Sequence, residues 1–282
     1  MVVYKFGIIG HPLSHSLSNI MHQAAFKECG FEGTYDVLDT KPEDIVSRIK
    51  FLKANNYNGF NVTIPHKVTV SLFLEQFDEY ANLAGAVNTV KIMDDKTLYG
   101  YNTDVYGFIK ALPKGFNLLG ESAAILGTGG ASRAVCTGLS TLGIKSIDLF
   151  SRNVIDSHNV VEGFRNKFKN VEINLYQKEI LKSLEKYKIV INTTPLGMKN
   201  FAADLSPLSD EAVKTLKDDA LIYDIVYNPI KTEFIKQAIK YNKQYVTGVD
   251  MLVLQGARAF EIWTDKMPDV NAMKVAVLEN LL

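Results

Sequence analysis

The chain has 282 residues, enough for one large domain or two of medium size, each with its own core. Lys plus Arg and Asp plus Glu number 31 each, which excludes a bulk electrostatic pull toward nucleic acid or an anionic membrane. Hydrophobic residues at 47% and charged residues at 22% suit a soluble globular enzyme, and no run approaches the ~20 apolar residues of a membrane span.

In chain order, the β-branched and aromatic opening at residues 4–9 reads as a first strand, and its apolar run is too short for a signal peptide. Further strands are predicted at 34–38, 59–62, 86–93 and 98–101, with helices at 18–29 and 42–54. Asp94-Asp95 reads as a hairpin turn, so this sheet is predicted to be mixed. The stretch from Leu112 through Pro113 and Gly115 to Asn117 breaks the pattern. Six strands follow, at 122–126, 146–150, 172–176, 189–192, 220–224 and 244–246, separated by helices such as 131–142 and 231–241. That spacing predicts a doubly wound dinucleotide-binding domain. Two amphipathic helices, 251–263 and 271–281, close the chain. Cys29 and Cys136 lie far apart in helical stretches with no metal-ligand spacing, so both are expected as free thiols in a reducing, cytoplasmic compartment.

The turn Gly127-Thr128-Gly129-Gly130-Ala131-Ser132-Arg133 joins a buried-strand pattern to a clean helix. Gly127 permits the bend, Gly129 lets backbone approach a pyrophosphate, and small Ala131 and Ser132 let helix and strand lie close. The helix N-terminus adds free N–H groups and positive dipole. The alternative is a glycine turn that only packs. The next strand ends at Ser151-Arg152-Asn153, with Asp148 inside it rather than at its tip. An arginine there suits the 2′-phosphate of NADP better than the ribose hydroxyl of NAD. A merely solvated Arg152 is the bland alternative.

Hydride transfer at a carbinol carbon also needs a proton donor or acceptor at the oxygen. Four segments offer more polar chemistry than packing requires: His15-Ser16-Leu17-Ser18, Asn61-Val62-Thr63-Ile64-Pro65-His66-Lys67, Gly85-Ala86-Val87-Asn88-Thr89 and Gly100-Tyr101-Asn102-Thr103-Asp104. Together with the glycine turn, Asn192-Thr193-Thr194-Pro195-Leu196-Gly197-Met198, Tyr227-Asn228-Pro229 and Met251-Leu252-Val253-Leu254-Gln255-Gly256-Ala257, they resemble the shikimate dehydrogenase family in order and over nearly the whole chain.

That resemblance implies reversible, NADP-dependent reduction of 3-dehydroshikimate to shikimate. The implied fold is an α/β protein of two domains with the active site in the cleft between them. A mixed-sheet substrate domain of residues 1–103 and 249–282 accompanies a Rossmann-type NADP-binding domain of residues 104–248. It implies Lys67 and Asp104 as the catalytic pair, Ser16 and Ser18 at the substrate carboxylate with Tyr227 nearby, and Asn61, Thr63, Asn88, Asp104 and Gln255 at the ring hydroxyls. For the cofactor it implies Gly127, Thr128, Gly129, Gly130, Ala131, Ser151, Arg152, Thr193 and Met251. No metal is expected, and the partner is a small-molecule substrate, with neither nucleic acid nor membrane, in a monomer or homodimer.

The residues support these roles separately. Lys67 follows Pro65 at what reads as a helix start, where dipole and partial burial lower a lysine pKa and Asp104 raises it again. Taken alone, Lys67 reads as a solvated lysine and Asp104 as a helix cap. Two serines at a helix start can hold one carboxylate or simply cap. Neutral amides can both donate and accept, as a polyhydroxylated ring requires. His15 and His66 rank below Lys67 as acid or base, and Trp263 with Phe260 reads as core. Against the family pattern, Thr128 stands for a small alanine, Ser151 for asparagine, and Asn153-Val154-Ile155-Asp156 lacks a second basic residue after Arg152. Asp250 and Asp265 stand where small residues and glycine are usual. An NAD-dependent quinate/shikimate dehydrogenase is the near alternative. A non-catalytic ligand-sensing module on the same fold is the alternative from another class, and it should have lost Lys67 or Asp104.

Overall fold

The computed structural model describes residues 3–13 and 16–281, so His15 lies outside the described residues. The chain divides into two compact units, Met1–Gly107 with Leu252–Leu282, and Phe108–Met251.

The first unit is built on a six-stranded sheet: β1 (Val3–Gly10), β2 (Glu32–Asp39), β3 (Gly59–Val62), β4 (Gln76–Phe77), β5 (Thr89–Ile92) and β6 (Leu98–Tyr101), in the order β2-β1-β3-β5-β6-β4. β1 runs parallel to β2 and β3, whereas β3–β5 and β5–β6 are antiparallel, so the sheet is mixed as the Asp94-Asp95 hairpin predicts. Asp95 accepts from the Thr97 amide at 2.9 Å, and Lys96 takes the left-handed φ of 66° that the turn needs. The two-residue β4 has too little pattern to be read in advance. α1 (Ser18–Cys29), α2 (Ile45–Ala54) and α3 (Glu79–Ala84) connect these strands, and α4 (Thr103–Ala111) follows β6.

In the second unit, β7 (Ser122–Leu126), α5 (Gly130–Thr141), β8 (Ser146–Ser151), α6 (Val154–Lys167), β9 (Glu172–Gln177), β10 (Ile189–Asn192), α7 (Asp210–Lys214), β11 (Leu221–Asp224), α8 (Glu233–Lys240) and β12 (Gln244–Val246) alternate. All six strands are parallel in the order β12-β11-β10-β7-β8-β9, the doubly wound arrangement. Its strands are buried on both faces: Ile125, Leu149 and Ile191 feed one core, and Ala124, Phe150 and Val190 the other.

α9 (Gly248–Thr264) and α10 (Val270–Glu279) close the chain, and α10 packs on α1. Trp263 stacks on Phe6 at 4.4 Å and donates its indole N–H to the Val90 carbonyl at 2.9 Å, so this pair of aromatics is core. Gly59 is required beneath it, because a Cβ there would stand 2.3 Å from the indole nitrogen. Asp265 ends α9 in the left-handed region at φ 57°, a conformation glycine takes freely and aspartate tolerates. Cys29 and Cys136 are free thiols, half-buried and buried. No described helix is long and apolar enough to cross a membrane.

Candidate functional site

In the first unit the polar motif residues gather where β3 ends and β5 begins, since Asn61 of β3 faces Thr89 of β5 across the antiparallel pair. Lys67 Nζ donates to Asp104 Oδ2 at 2.6 Å, both side chains being mostly shielded. Asp104 Oδ1 accepts from Asn88 Nδ2 at 2.9 Å, so each carboxylate oxygen is engaged. Asn88 is a hub. Its Oδ1 accepts the Thr103 amide at 2.7 Å, and its amide group also reaches Thr103 Oγ1 at 2.9 Å and Gln255 Oε1 at 3.3 Å. Asn61 accepts from the buried Tyr35 hydroxyl at 2.7 Å and donates to Thr89 Oγ1 at 3.0 Å.

The cap of α4 is Asn102, which accepts the Val105 amide at 3.2 Å, so Asp104 is left for Lys67 rather than spent on capping. Lys67 does not open an α-helix, contrary to the sequence expectation. It lies in a turn after the cis peptide Ile64-Pro65, ahead of a short 3-10 segment, Thr69–Phe73. Its surroundings are therefore set by the ion pair and by its own carbonyl, which accepts the Val87 amide at 2.7 Å, and not by a helix dipole. Thr63 is half-buried beside Gly10. His66 is buried with Nε2 2.7 Å from the Thr40 carbonyl oxygen, a structural role. Ser16 Oγ accepts the Ser18 amide at 3.3 Å, and Ser18 opens α1 without a side-chain cap from Leu17. Beneath these residues His22 is fully buried against Tyr35, with ring centroids 4.3 Å apart. Its ring nitrogens find no hydrogen-bond partner among the described residues, and burial pushes its pKa down to about 3, against the opposing influence of the nearby Asn61 side chain.

In the second unit Gly127 adopts φ 104°, and a Cβ there would stand 3.0 Å from Thr193 Oγ1. Thr193 in turn donates to the Leu126 carbonyl at 2.8 Å. Nothing lies within 4 Å of a Cβ built on Gly129 or Gly130, and Gly129 leaves the first turn of α5 without a side-chain cap. This open cradle of uncapped N–H groups fits a dinucleotide pyrophosphate. Thr128 and Ser151, both departures from the family pattern, are joined through a residue the sequence reading passed over. Ser157 Oγ lies 2.7 Å from Thr128 Oγ1 and 2.8 Å from Ser151 Oγ, and donates to the Asn153 carbonyl at 2.7 Å. Only its spacing from Asn153, which caps α6, could have signalled it. Arg152 is exposed at the end of β8. Met251 is buried in the core with Tyr223, and Tyr227 is half-buried beside the cis Asn228-Pro229 bond, its hydroxyl pKa pushed up by burial. Asp250 acts on the buried Tyr223 hydroxyl, which has no hydrogen-bond partner among the described residues.

Asp224, at the end of β11, was also missed. It is fully buried, accepts from Thr232 Oγ1 at 2.6 Å, Asn192 Nδ2 at 2.9 Å and the Val226 amide at 3.0 Å, and burial raises its pKa to about 6. Asn192 also accepts from Thr194 and donates to the Leu196 carbonyl. Asp224 thus ties the Thr193 loop to the segment carrying Tyr227. Among the described residues no cluster of three His, Cys, Asp or Glu could hold a metal ion.

Residues 8–90 match the shikimate dehydrogenase substrate-binding domain, and residues 248–278 match the shikimate 5′-dehydrogenase C-terminal domain. A shikimate dehydrogenase (NADP(+)) of Methanococcus maripaludis is 40% identical over 96% of this chain and 95% of its own. The chain belongs to the shikimate dehydrogenase family. Among solved structures, the Thermus thermophilus shikimate 5-dehydrogenase in complex with NADP(H) and shikimate superposes with a TM-score of 0.85 at 32% identity, covering 99% of this chain and 100% of that one. A Corynebacterium glutamicum quinate dehydrogenase in complex with NAD superposes at 0.89 with 28% identity, covering 98% and 99%. Membership therefore leaves the choice of nucleotide and ring to the residues of the site.

Proposed function

We propose that this protein is an NADP-dependent shikimate dehydrogenase that reversibly reduces 3-dehydroshikimate to shikimate. The observation that carries the reading is the shielded Lys67–Asp104 pair at 2.6 Å, braced by Asn88, within the unit that matches the family's substrate-binding domain. We assign substrate recognition to that unit and nucleotide binding to residues 108–251. The bound nicotinamide supplies or accepts the hydride. Lys67 Nζ gives the proton to the carbonyl oxygen during reduction and takes it from the hydroxyl in the reverse direction. Asp104 holds the ammonium in place and balances its charge.

Ser16 and Ser18, with Tyr227, are assigned to the carboxylate, and Asn61, Thr63, Asn88, Asp104 and Gln255 to the ring hydroxyls. The glycine turn from Gly127 to Ala131, with Ser151, Arg152, Thr193 and Met251, is assigned to NADP. The partner is a small molecule, the compartment is the cytoplasm, which suits two free thiols, and the chain acts as a monomer or homodimer.

Purified protein should form NADPH from NADP when given shikimate at alkaline pH; no such signal overturns the proposal. Lys67→Ala should lower kcat by roughly two to four powers of ten. Asp156, four residues after Arg152, favours testing NAD with quinate in the same assay, and a preference for that pair would establish the second reading.

A further inference from the structure

β8 and β9 are parallel neighbours in which Ser151 faces Gln177. Arg152 and Lys178, the next residue of each strand, therefore leave the same edge of the sheet side by side, with adjacent strands about 4.8 Å apart. The glycine turn opens on that edge too, because Leu126 faces Phe150 and Gly127 follows. In a doubly wound domain the pyrophosphate rests on the first turn, and the adenosine ribose lies over the end of the second strand. A 2′ substituent on that ribose falls beside the end of the third, where Lys178 stands.

The surroundings of these two cations leave them to an external anion. Neither side chain makes a hydrogen bond or ion pair among the described residues, and the carboxylate acting on Lys178 is Glu179 of its own segment. Asp148 and Asp156, each four residues from Arg152, are engaged elsewhere: Asp156 accepts from the Asn153 amide at 2.6 Å, and Asp148 accepts from Lys186 Nζ, from the Tyr187 hydroxyl at 2.8 Å and from Asn174 Nδ2 at 3.1 Å. The Thr128–Ser157–Ser151 hydroxyl chain staples the Arg152 turn to the glycine turn. Partial burial lowers the Lys178 ammonium pKa; Glu179 opposes this and the Arg152 guanidinium adds to it, as two neighbouring cations without a shared anion require.

We propose that Lys178 determines the NADP preference together with Arg152, forming a two-strand clamp on the 2′-phosphate that replaces the missing basic residue after Arg152. The inference rests on the NADP-dependent reading above. Its test is equilibrium titration of the full chain, without shikimate, using NADPH and NADH fluorescence. Lys178→Gln should weaken NADPH roughly tenfold, or ~1.4 kcal/mol, leave NADH unchanged and flatten the salt dependence of NADPH binding. Lys178→Arg should restore the preference. Arg152→Gln separates the two levels of the argument. If Arg152→Gln narrows the NADPH-to-NADH ratio while Lys178→Gln does not, the Lys178 clamp is overturned and the NADP reading stands. If wild-type protein binds NADH as tightly as NADPH, both fall. An equal loss for both nucleotides in Lys178→Gln also overturns the clamp, since it means Lys178 supports the fold rather than the phosphate.

Discussion

His22 sets a pH dependence that can be worked from its surroundings. Its ring packs between Tyr35, Phe260 and Trp263, and Tyr35 is the titratable group among them. The ordinary pKa of 6.5 falls to about 3 in the folded chain, so the unfolded state binds the extra proton between those values. Stability is therefore lost as pH falls through that window, by up to about 5 kcal/mol in full and about 2 kcal/mol between pH 7 and pH 5. Replacing the ring by Phe keeps the stack and removes the titration. The only tryptophan, Trp263, is buried in the same unit, with its ring centroid 5.5 Å from that of His22, so its fluorescence follows unfolding there. In urea, the midpoint of wild-type protein should fall by roughly 1 M between pH 7 and pH 5, and that of His22→Phe should fall by much less. His22→Leu, which gives up the stack but also the proton, should share the flatter profile at lower overall stability. Equal midpoint shifts in wild type and both variants would refute the reasoning.

Asp224 should act with the opposite sign in the other unit. Its folded pKa of about 6 lies above the ordinary 3.8, so stability present below the unfolded value is lost as pH rises through 6, about 1.3 kcal/mol between pH 5 and pH 7. Hydrogen exchange of peptides from β10 and β11, corrected for intrinsic rates, should show this loss in wild type and not in Asp224→Asn. Gly127→Ala forces a side chain to φ 104° against Thr193; it should cost roughly 1–3 kcal/mol locally and weaken NADPH at least tenfold, while the Trp263 unfolding transition stays in place. Asn88→Ala should lower the urea midpoint by the equivalent of roughly 2–4 kcal/mol and reduce kcat, because it strands the Thr103 amide and one Asp104 oxygen. Gln255→Ala, which gives up contacts of 3.3 and 3.4 Å to that hub and a local donation to the Leu252 carbonyl at 2.8 Å within α9, should raise KM for shikimate with a smaller fall in the midpoint than Asn88→Ala.

Where a strand is an apolar run bounded by turn residues, its limits were readable to the residue, as in β3, β7 and β10. α6 was not, because its fully buried face includes the polar Ser157 beside Val161 and Phe164 while the apolar Ile155 faces outward, which blurs the apolar period. The same weakness hid Ser157. Pro65 reads as a helix start, so the sequence puts Lys67 on a helix; in the structure it lies in a turn ahead of the 3-10 segment Thr69–Phe73 and is held by Asp104, a partner 37 residues away that no local pattern announces.

The missed residues share a physical trait. Sequence periodicity reports which positions face apolar surroundings, but not which buried polar groups find one another across the fold. Asn88 meets Asp104 and Gln255 from positions 16 and 167 residues away, and Asp224 meets Asn192 over 32. Such pairs are silent until topology brings β5 beside α4 and β10 beside β11. Their cost also explains their location. A buried carboxylate raised to about 6 or a histidine lowered to about 3 is poor design for a core alone, where an apolar residue of the same volume would serve better. In this chain these groups sit under the Asn61–Tyr35 contact and under the Thr193 loop, the two places where the fold must hold polar side chains in one orientation. Local rules of core composition give way where the site demands rigid polar geometry. Lys178 fits the same argument: it is an ordinary half-buried lysine at a strand end until the register of β8 and β9 sets it beside Arg152.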